Sequence, residues 1–258
     1  MIAADKLFDL TGRAALVTGG NRGLGKAMAH CLAQAGANVV IASRHEEELR
    51  ASADEIRNDS RGQVEYTVAD LTVRDDVRRV ADFAKSKFGK VDILINNSGA
   101  NTPQTIDKID DATWDNILEL NLTSCMSLCR AVAPGMKERR WGRIIHISSI
   151  MGLASASGRN IYSATKSALL GLARASALDL GPFNITVNCI APGPFLTEMP
   201  LGILNKEQQD FFASRTALGR WAEPAELAGP ALLLASEAGS YITGTVIVVD
   251  GGCLAKVF

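Results

Sequence analysis

Histidine is scarce. His30, His45 and His146 are far apart along the 258 residues, so they form no ligand cluster and no metal site is expected. Cysteine is equally thin. Cys31, Cys125, Cys129, Cys189 and Cys253 make an odd count without a C-x-x-C pair. That gives no disulfide framework and fits reduced thiols in a cytoplasmic protein. The i,i+4 spacing of Cys125 and Cys129 places both on one helix face. No run approaches the roughly 18 apolar residues of a membrane span. Residues 1–10 carry Asp5 and Asp9 and do not read as a secretory signal. An excess of charge is missing too: the formal net charge is -1, with no acidic or basic tail. Neither nucleic acid nor an anionic membrane is therefore an expected partner. With no repeat, low-complexity tract or composition break, residues 1–258 read as one domain.

What the chain does have is short apolar runs alternating with long helical patterns. The runs are Ala14–Val17, Val39–Ile41, Val64–Val68, Val91–Ile95, Ile144–Ile147, Ile185–Ile190 and Val246–Val249. They suit strands covered on both faces. Between them lie helical patterns at Leu24–Ala35, Glu46–Asn58, Arg74–Phe88, Thr113–Lys137, Ile161–Leu180 and Pro224–Ala235. This alternation predicts an α/β fold, a doubly wound Rossmann architecture with a seven-stranded parallel sheet and helices on both faces. The least regular stretch, about residues 192–212, contains Pro192, Gly193, Pro194, Pro200 and Gly202. It reads either as a segment covering a substrate or as a passive surface loop.

The first strand runs into Thr18-Gly19-Gly20-Asn21-Arg22-Gly23-Leu24-Gly25, with a helix after it. Glycines at 19, 23 and 25 permit a sharp turn and close backbone approach to a ligand. The helix start supplies free N–H groups and a positive dipole end, which suits a dinucleotide's phosphates. The second strand ends in Ser43-Arg44. An acidic residue there would bind the ribose 2′-hydroxyl of NAD. A serine with Arg44 and Arg22 favours the 2′-phosphate, hence NADP(H), with NAD(H) still possible. Asp70 and Asn96, at the ends of the third and fourth strands, also fall where ligands bind in such sheets.

Tyr162 and Lys166 are four apart in one predicted helix and share a face. A nearby ammonium favours a phenolate, the form in which a tyrosine can act as acid/base. Ser149 closes the fifth strand, where its hydroxyl can donate to a developing alkoxide. Ser148 faces the other way, so one of the pair is expected to serve. Asn121 sits inside a predicted helix although asparagine is a mediocre helix former. A functional role, a kink or a satisfied core amide each explains it.

Taken in order, these motifs resemble the short-chain dehydrogenase/reductase family, in its branch of about 250 residues. The matching elements are T-G-x-x-x-G-x-G at Thr18–Gly25, Asp70, N-N-x-G at Asn96–Gly99, and Asn121. They continue with Ser149, Tyr162, Lys166, Pro192-Gly193, Thr197 and the closing Val249-Asp250-Gly251-Gly252. The resemblance implies an NADP-dependent oxidoreductase that interconverts a ketone and a secondary alcohol. Tyr162 would be the acid/base, Ser149 would hold the substrate oxygen and Lys166 the nicotinamide ribose. Asn121 would hold a relay water. Gly19, Asn21, Arg22, Gly23, Leu24, Gly25, Ser43, Arg44, Asp70, Leu71, Asn97, Gly99, Pro192, Gly193 and Thr197 would contact the cofactor. A homotetramer is also implied. Ser98 departs from the alanine usual in N-N-A-G, a small change.

The substrate pocket is expected around Ser149, Met151, Ser155, Asn160, Phe195 and residues 200–212. A sugar acid or polyol, a small ketone and a 3-oxoacyl thioester all remain open. The alternative is a 3-oxoacyl-[acyl-carrier-protein] reductase. Arg140 could dock an acidic carrier, but Pro182-Phe183 stand where a second basic residue usually falls. A non-catalytic dinucleotide-binding regulator is the remote alternative, since it has no need of Tyr162, Lys166 and Ser149 together.

Overall fold

The computed structural model describes residues 3–198 and 204–256. Pro200 and Gly202, and with them part of the expected covering segment, lie outside the described residues. The strands are β1 Ala14–Thr18, β2 Asn38–Ser43, β3 Val64–Val68, β4 Ile93–Asn96, β5 Gly142–Ile147, β6 Ile185–Pro192 and β7 Val246–Val249. The helices are α1 Ala4–Leu7, α2 Gly23–Gln34, α3 Glu46–Asn58, α4 Arg74–Phe88, α5 Asp111–Leu118, α6 Ser124–Arg139, α7 Asn160–Leu180, α8 Lys206–Arg215 and α9 Ala228–Ala235. All strand pairings are parallel, in the order β3-β2-β1-β4-β5-β6-β7. The chain builds outward from β1 to β3, then restarts on the other side of β1 with β4. That reversal opens a crevice at the carboxyl ends of β1 and β4.

Side chains alternate across the sheet, so each strand feeds two cores. Ala15 and Val17 of β1 face a cluster with Met28 and Leu32 of α2, Leu49 and Ile56 of α3, and Leu234 of α9. Leu16 faces the opposite cluster, with Val77 and Val80 of α4, Leu128 and Met136 of α6, and Leu169 and Ala173 of α7. Each leucine or isoleucine fully removed from water contributes about 1.5–3 kcal/mol. This two-sided burial is why the strands read as unbroken apolar runs.

Several boundaries differ from the sequence reading, three of them with a clear physical reason. Strand β5 begins at Gly142, not Ile144, and so includes Arg143, which is fully buried. Its guanidinium lies 4.4 Å from the Trp141 ring centroid, 3.7 Å from Glu237 and within hydrogen-bond reach of three backbone carbonyls. A charge with that many partners can end up inside a strand. The predicted helix Thr113–Lys137 is two helices joined by a π-helical turn at Glu119–Thr123. The supposedly irregular 192–212 stretch contains the start of α8, held by a capping box in which Asn205 and Gln208 bond each other's backbone N–H.

His146 of β5 is fully buried. Its Nδ1 accepts from Asn96 Nδ2 at 3.1 Å, and its Nε2 lies 3.9 Å from Cys129 Sγ. Burial, helped by the Lys166 ammonium, pushes it from 6.5 down to about 4. Between those values the unfolded chain binds a proton that the folded chain refuses, so stability falls as pH drops. From pH 7 to pH 5 this single group removes about 2 kcal/mol. Urea unfolding at both pH values checks it: His146→Gln should lose about 2 kcal/mol less than the parent over that interval. An identical loss in both proteins would contradict the burial of a neutral imidazole.

Candidate active site

The glycine loop is braced by the strand beside it. Thr18 Oγ1, at the end of β1, accepts the Asn97 and Ser98 N–H groups at 2.9 and 3.0 Å. Asn97 Nδ2 donates to the Thr18 carbonyl at 2.9 Å and the Gly19 carbonyl at 3.2 Å. The loop after β4 therefore fixes the loop after β1. Helix α2 starts against the same carbonyl: a Cβ on Gly25 would fall 2.1 Å from Gly19 O and 2.5 Å from Asn97 Nδ2. Only glycine fits there. Helix α2 has no side-chain cap and no acidic residue in its first turn. By contrast α3 opens on Glu46, Glu47 and Glu48, and α4 on Asp75 and Asp76. The bare N-terminus of α2 is arranged for an anion from outside the chain.

One cavity of about 360 Å³ runs from this loop to the end of β5. Gly19, Asn21, Arg22, Gly23, Leu24 and Gly25 line its first end, with Ser43 and Arg44 beside them. Leu71, Asn97 and Gly99 border its middle. Ser149, Met151, Tyr162 and Lys166 lie along it, as do Pro192, Gly193, Phe195 and Thr197 from beyond β6. The sequence-predicted residues thus converge, with five exceptions among the described residues: Asp70, Asn96, Asn121, Ser155 and Asn160. Asp70 is not among the lining residues: it accepts from Thr72 N and Oγ1 at 2.9 and 2.8 Å and stands 3.8 Å from Arg44. Asn160 donates to the Gln104 carbonyl at 3.1 Å, and Ser155 bonds Ser163 at 2.7 Å. Asn96 is buried on His146. Arg22 pairs with Glu198 and, at 3.7 Å, with Glu48. These pairs of Arg22 and Arg44 are about half exposed or more on the arginine side, where ion pairs are weak and easily exchanged for a phosphate.

At the other end, Lys166 is 4% exposed and donates from Nζ to the Ile147 carbonyl at 2.7 Å. The Tyr162 ring centroid lies 5.6 Å from that nitrogen. Ser148 and Ser149 divide as strand alternation requires. Ser148 gives its hydroxyl to the Lys166 carbonyl at 2.8 Å. Ser149 Oγ accepts the Met151 N–H at 3.1 Å, which leaves its own hydrogen to donate into the cavity. Asn121 does not line the cavity; it lies behind the lining in the π-helical turn. Its Oδ1 accepts from Ala100 N and its Nδ2 donates to Ala100 O, both at 2.9 Å, and to Thr165 Oγ1 at 3.2 Å. It ties the loop after β4 to α7. A Cβ on Gly99 would lie 3.2 Å from Asn121 Oδ1 and 3.3 Å from Lys166 Nζ, so glycine there lets the lysine approach.

Several lining residues were not singled out from sequence: Asn101, Arg159 and Trp221. Arg159 carried a usable signal, because it precedes Tyr162 by three residues and Lys166 by seven, on one helix face. Trp221 is brought in only by tertiary packing on Phe212, with ring centroids 6.1 Å apart. Arg140 donates to the Pro182 carbonyl at 3.0 Å, a contact that joins two turns of the chain.

A family model described as enoyl-(acyl carrier protein) reductase matches residues 19–253. The chain is 35% identical over 243 residues to a 3-oxoacyl-[acyl-carrier-protein] reductase of Chlamydia muridarum, covering 94% of this chain and 98% of the relative. It is 40% identical over 246 residues to a 3-alpha-(or 20-beta)-hydroxysteroid dehydrogenase of Mycobacterium bovis, covering 95% and 91%. Among solved structures, a gluconate 5-dehydrogenase from Burkholderia cenocepacia, in complex with NADP and tartrate, superposes with a TM-score of 0.92 at 34% identity, covering 99% of this chain and 100% of that one. With matches of this extent over a seven-stranded parallel sheet, the chain belongs to the short-chain dehydrogenase/reductase family.

Proposed function

We propose that the protein is an NADP(H)-dependent oxidoreductase that interconverts a ketone and a secondary alcohol. The observation that carries this reading is that Ser149, Tyr162 and Lys166 open onto the same cavity as the uncapped start of α2 with Arg22 and Arg44. The cradle fits a dinucleotide: its loop has no room for a side chain at Gly19 or Gly25, its helix N-terminus is free for pyrophosphate, and two guanidinium groups border the same end for a 2′-phosphate. When bound, NADP(H) supplies or accepts the hydride at the nicotinamide. Ser149 donates to the substrate oxygen, and Tyr162 passes a proton to that oxygen or takes one from it. Lys166 holds the nicotinamide ribose and keeps its positive charge beside the phenol. Asn121 positions the Gly99–Ala100 loop. Its side chain is fully used, so a relay water belongs at its main-chain carbonyl, which Cys125 Sγ approaches at 3.4 Å.

Residues 192–212 cover the substrate in this reading, with Phe195, Leu204 and Phe212 as its apolar lining. A second reading, a 3-oxoacyl thioester as substrate, is favoured by the relatives described as acyl-carrier-protein reductases. The assembly is a homotetramer and the location cytoplasmic. Supporting these are exposed apolar groups on α7 and near the edge strand β7 (Leu178 81%, Val248 41%) and five free cysteines. A sedimentation mass other than four chains, or recovery outside the cytosolic fraction of expressing cells, would contradict them.

Titration with NADPH and NADH tests the cofactor end. Arg44→Glu should weaken NADPH binding by about tenfold or more and leave NADH within about twofold; equal losses for both would refute the 2′-phosphate site. Absorbance decay with a panel of ketones, keto sugars and acetoacetyl-coenzyme A tests the chemical end. Tyr162→Phe should lower kcat at least about a hundredfold while NADPH still binds. Near-normal turnover would remove Tyr162 from its assigned role.

A further inference from the structure

Four cationic side chains border the cavity: Arg22, Arg44, Arg159 and Lys166. Three have partners, namely Glu198 and Glu48, Asp70, and the Ile147 carbonyl. The guanidinium of Arg159 has neither a carboxylate nor a hydrogen-bond acceptor among the described residues. Helix stability does not explain it. Arg159 is the N-cap of α7, makes no side-chain cap bond and precedes a first turn without an acidic residue. A cation there opposes the helix dipole instead of complementing it. Its place is nonetheless fixed. The backbone of Arg159 bridges to Gln104, and its carbonyl accepts from Ser163 N at 2.7 Å.

Arg159, Tyr162 and Lys166 occupy one stripe of α7 at i, i+3 and i+7. One turn, about 5.4 Å of helix axis, separates the arginine from the tyrosine. Asn101 also lines the cavity, with its Oδ1 shielded from solvent and unpartnered. Polar groups shielded in this way are normally satisfied, so they point to a polar ligand. Phe195, Phe212 and Trp221, which also line the cavity, carry no charge, and Trp221 Nε1 is spent on the Gln209 carbonyl at 2.8 Å. The negative group of a ligand therefore has one place to go at this end.

Resting on the oxidoreductase reading above, we infer that the substrate is an oxo or hydroxy carboxylic acid whose carboxylate is bound by Arg159. Its reacting carbon lies at Ser149 and Tyr162, and a hydroxyl or other polar group lies at Asn101. Arg159 thus selects the substrate and takes no part in proton transfer.

The test uses pairs of ketones that differ only in carboxylate against hydroxymethyl. These are 5-keto-D-gluconate with L-sorbose, 4-oxopentanoate with 5-hydroxypentan-2-one, and 3-oxocyclohexanecarboxylate with 3-(hydroxymethyl)cyclohexanone. Binding of each to the enzyme–NADP⁺ complex is read by calorimetry, and turnover is read with NADPH. At least one acid should bind about tenfold or more tighter than its neutral partner. Arg159→Gln should bring that ratio close to one through KM and not kcat, and Arg159→Lys should restore part of it. NADP⁺ affinity, measured alongside, reports that each variant is folded.

No preference for an acid in any pair, or a ratio unchanged in Arg159→Gln, overturns the inference. So does Arg159-dependent binding of acetoacetyl-coenzyme A without binding of any acid, which would assign the guanidinium to a phosphate. Turnover of neutral ketones with no acid preference sinks this inference alone. Arg159-dependent acid binding without any hydride transfer supports the anion site and sinks the oxidoreductase reading.

Discussion

All strands of the sheet run the same way, so their carboxyl ends meet along one edge. Everything functional in the molecule depends on that constraint. A strand buried on both faces can present polar groups only where it ends, and β1, β2, β4, β5 and β6 end beside one another. Thr18, Ser43 and Pro192 end β1, β2 and β6, and Asn97 and Ser149 follow the ends of β4 and β5, so these five belong to neighbouring strands although they span most of the sequence. The reversal of strand order between β1 and β4 leaves the crevice between them uncovered by crossover helices. A dinucleotide cradle needs just such an opening.

Within that edge, Lys166 holds the catalytic end together. Its ammonium is nearly buried, which is tolerable only with good partners. The Ile147 carbonyl supplies one at 2.7 Å. Its main-chain carbonyl is bound by Ser148, and Gly99 leaves room beside both its ammonium and Asn121. The same charge contributes to keeping His146 neutral in the core. One lysine therefore couples the end of β5, the loop after β4, the π-helical turn and the face of α7. The π-helical turn itself is explained by Asn121, whose amide bonds both backbone groups of Ala100. An extra residue in that turn aims the amide inward, as such insertions commonly do near functional sites.

The fold was legible because its signals are local and repeated: seven apolar runs separated by six helical patterns admit few other architectures. The glycine loop and the pair Tyr162 and Lys166 were legible for a related reason, since fixed spacing on one element forces side chains together. Residues whose meaning depends on partners distant in sequence were harder to read. Arg143 fell outside the apolar run read as the fifth strand, because only Glu237 and three carbonyls allow its charge to be buried there. Asp70 is a different case: it stands at a strand end, as ligand-binding residues do, but its carboxylate accepts from Thr72 only two residues on. Asn160 is one residue from the correct helix face. The choice between Ser148 and Ser149 followed from alternation, but only the bond to the Lys166 carbonyl decides which is committed.

A crystal structure of the NADP⁺ complex tests most directly whether one edge of the sheet carries both recognition and chemistry. The 2′-phosphate should lie within hydrogen-bond reach of Arg22 and Arg44, with the pyrophosphate over the first turn of α2 and the nicotinamide between Tyr162 and Thr197. A 2′-phosphate facing solvent away from both arginines, or a nicotinamide ring outside the Ser149–Tyr162 end of the cavity, would contradict it.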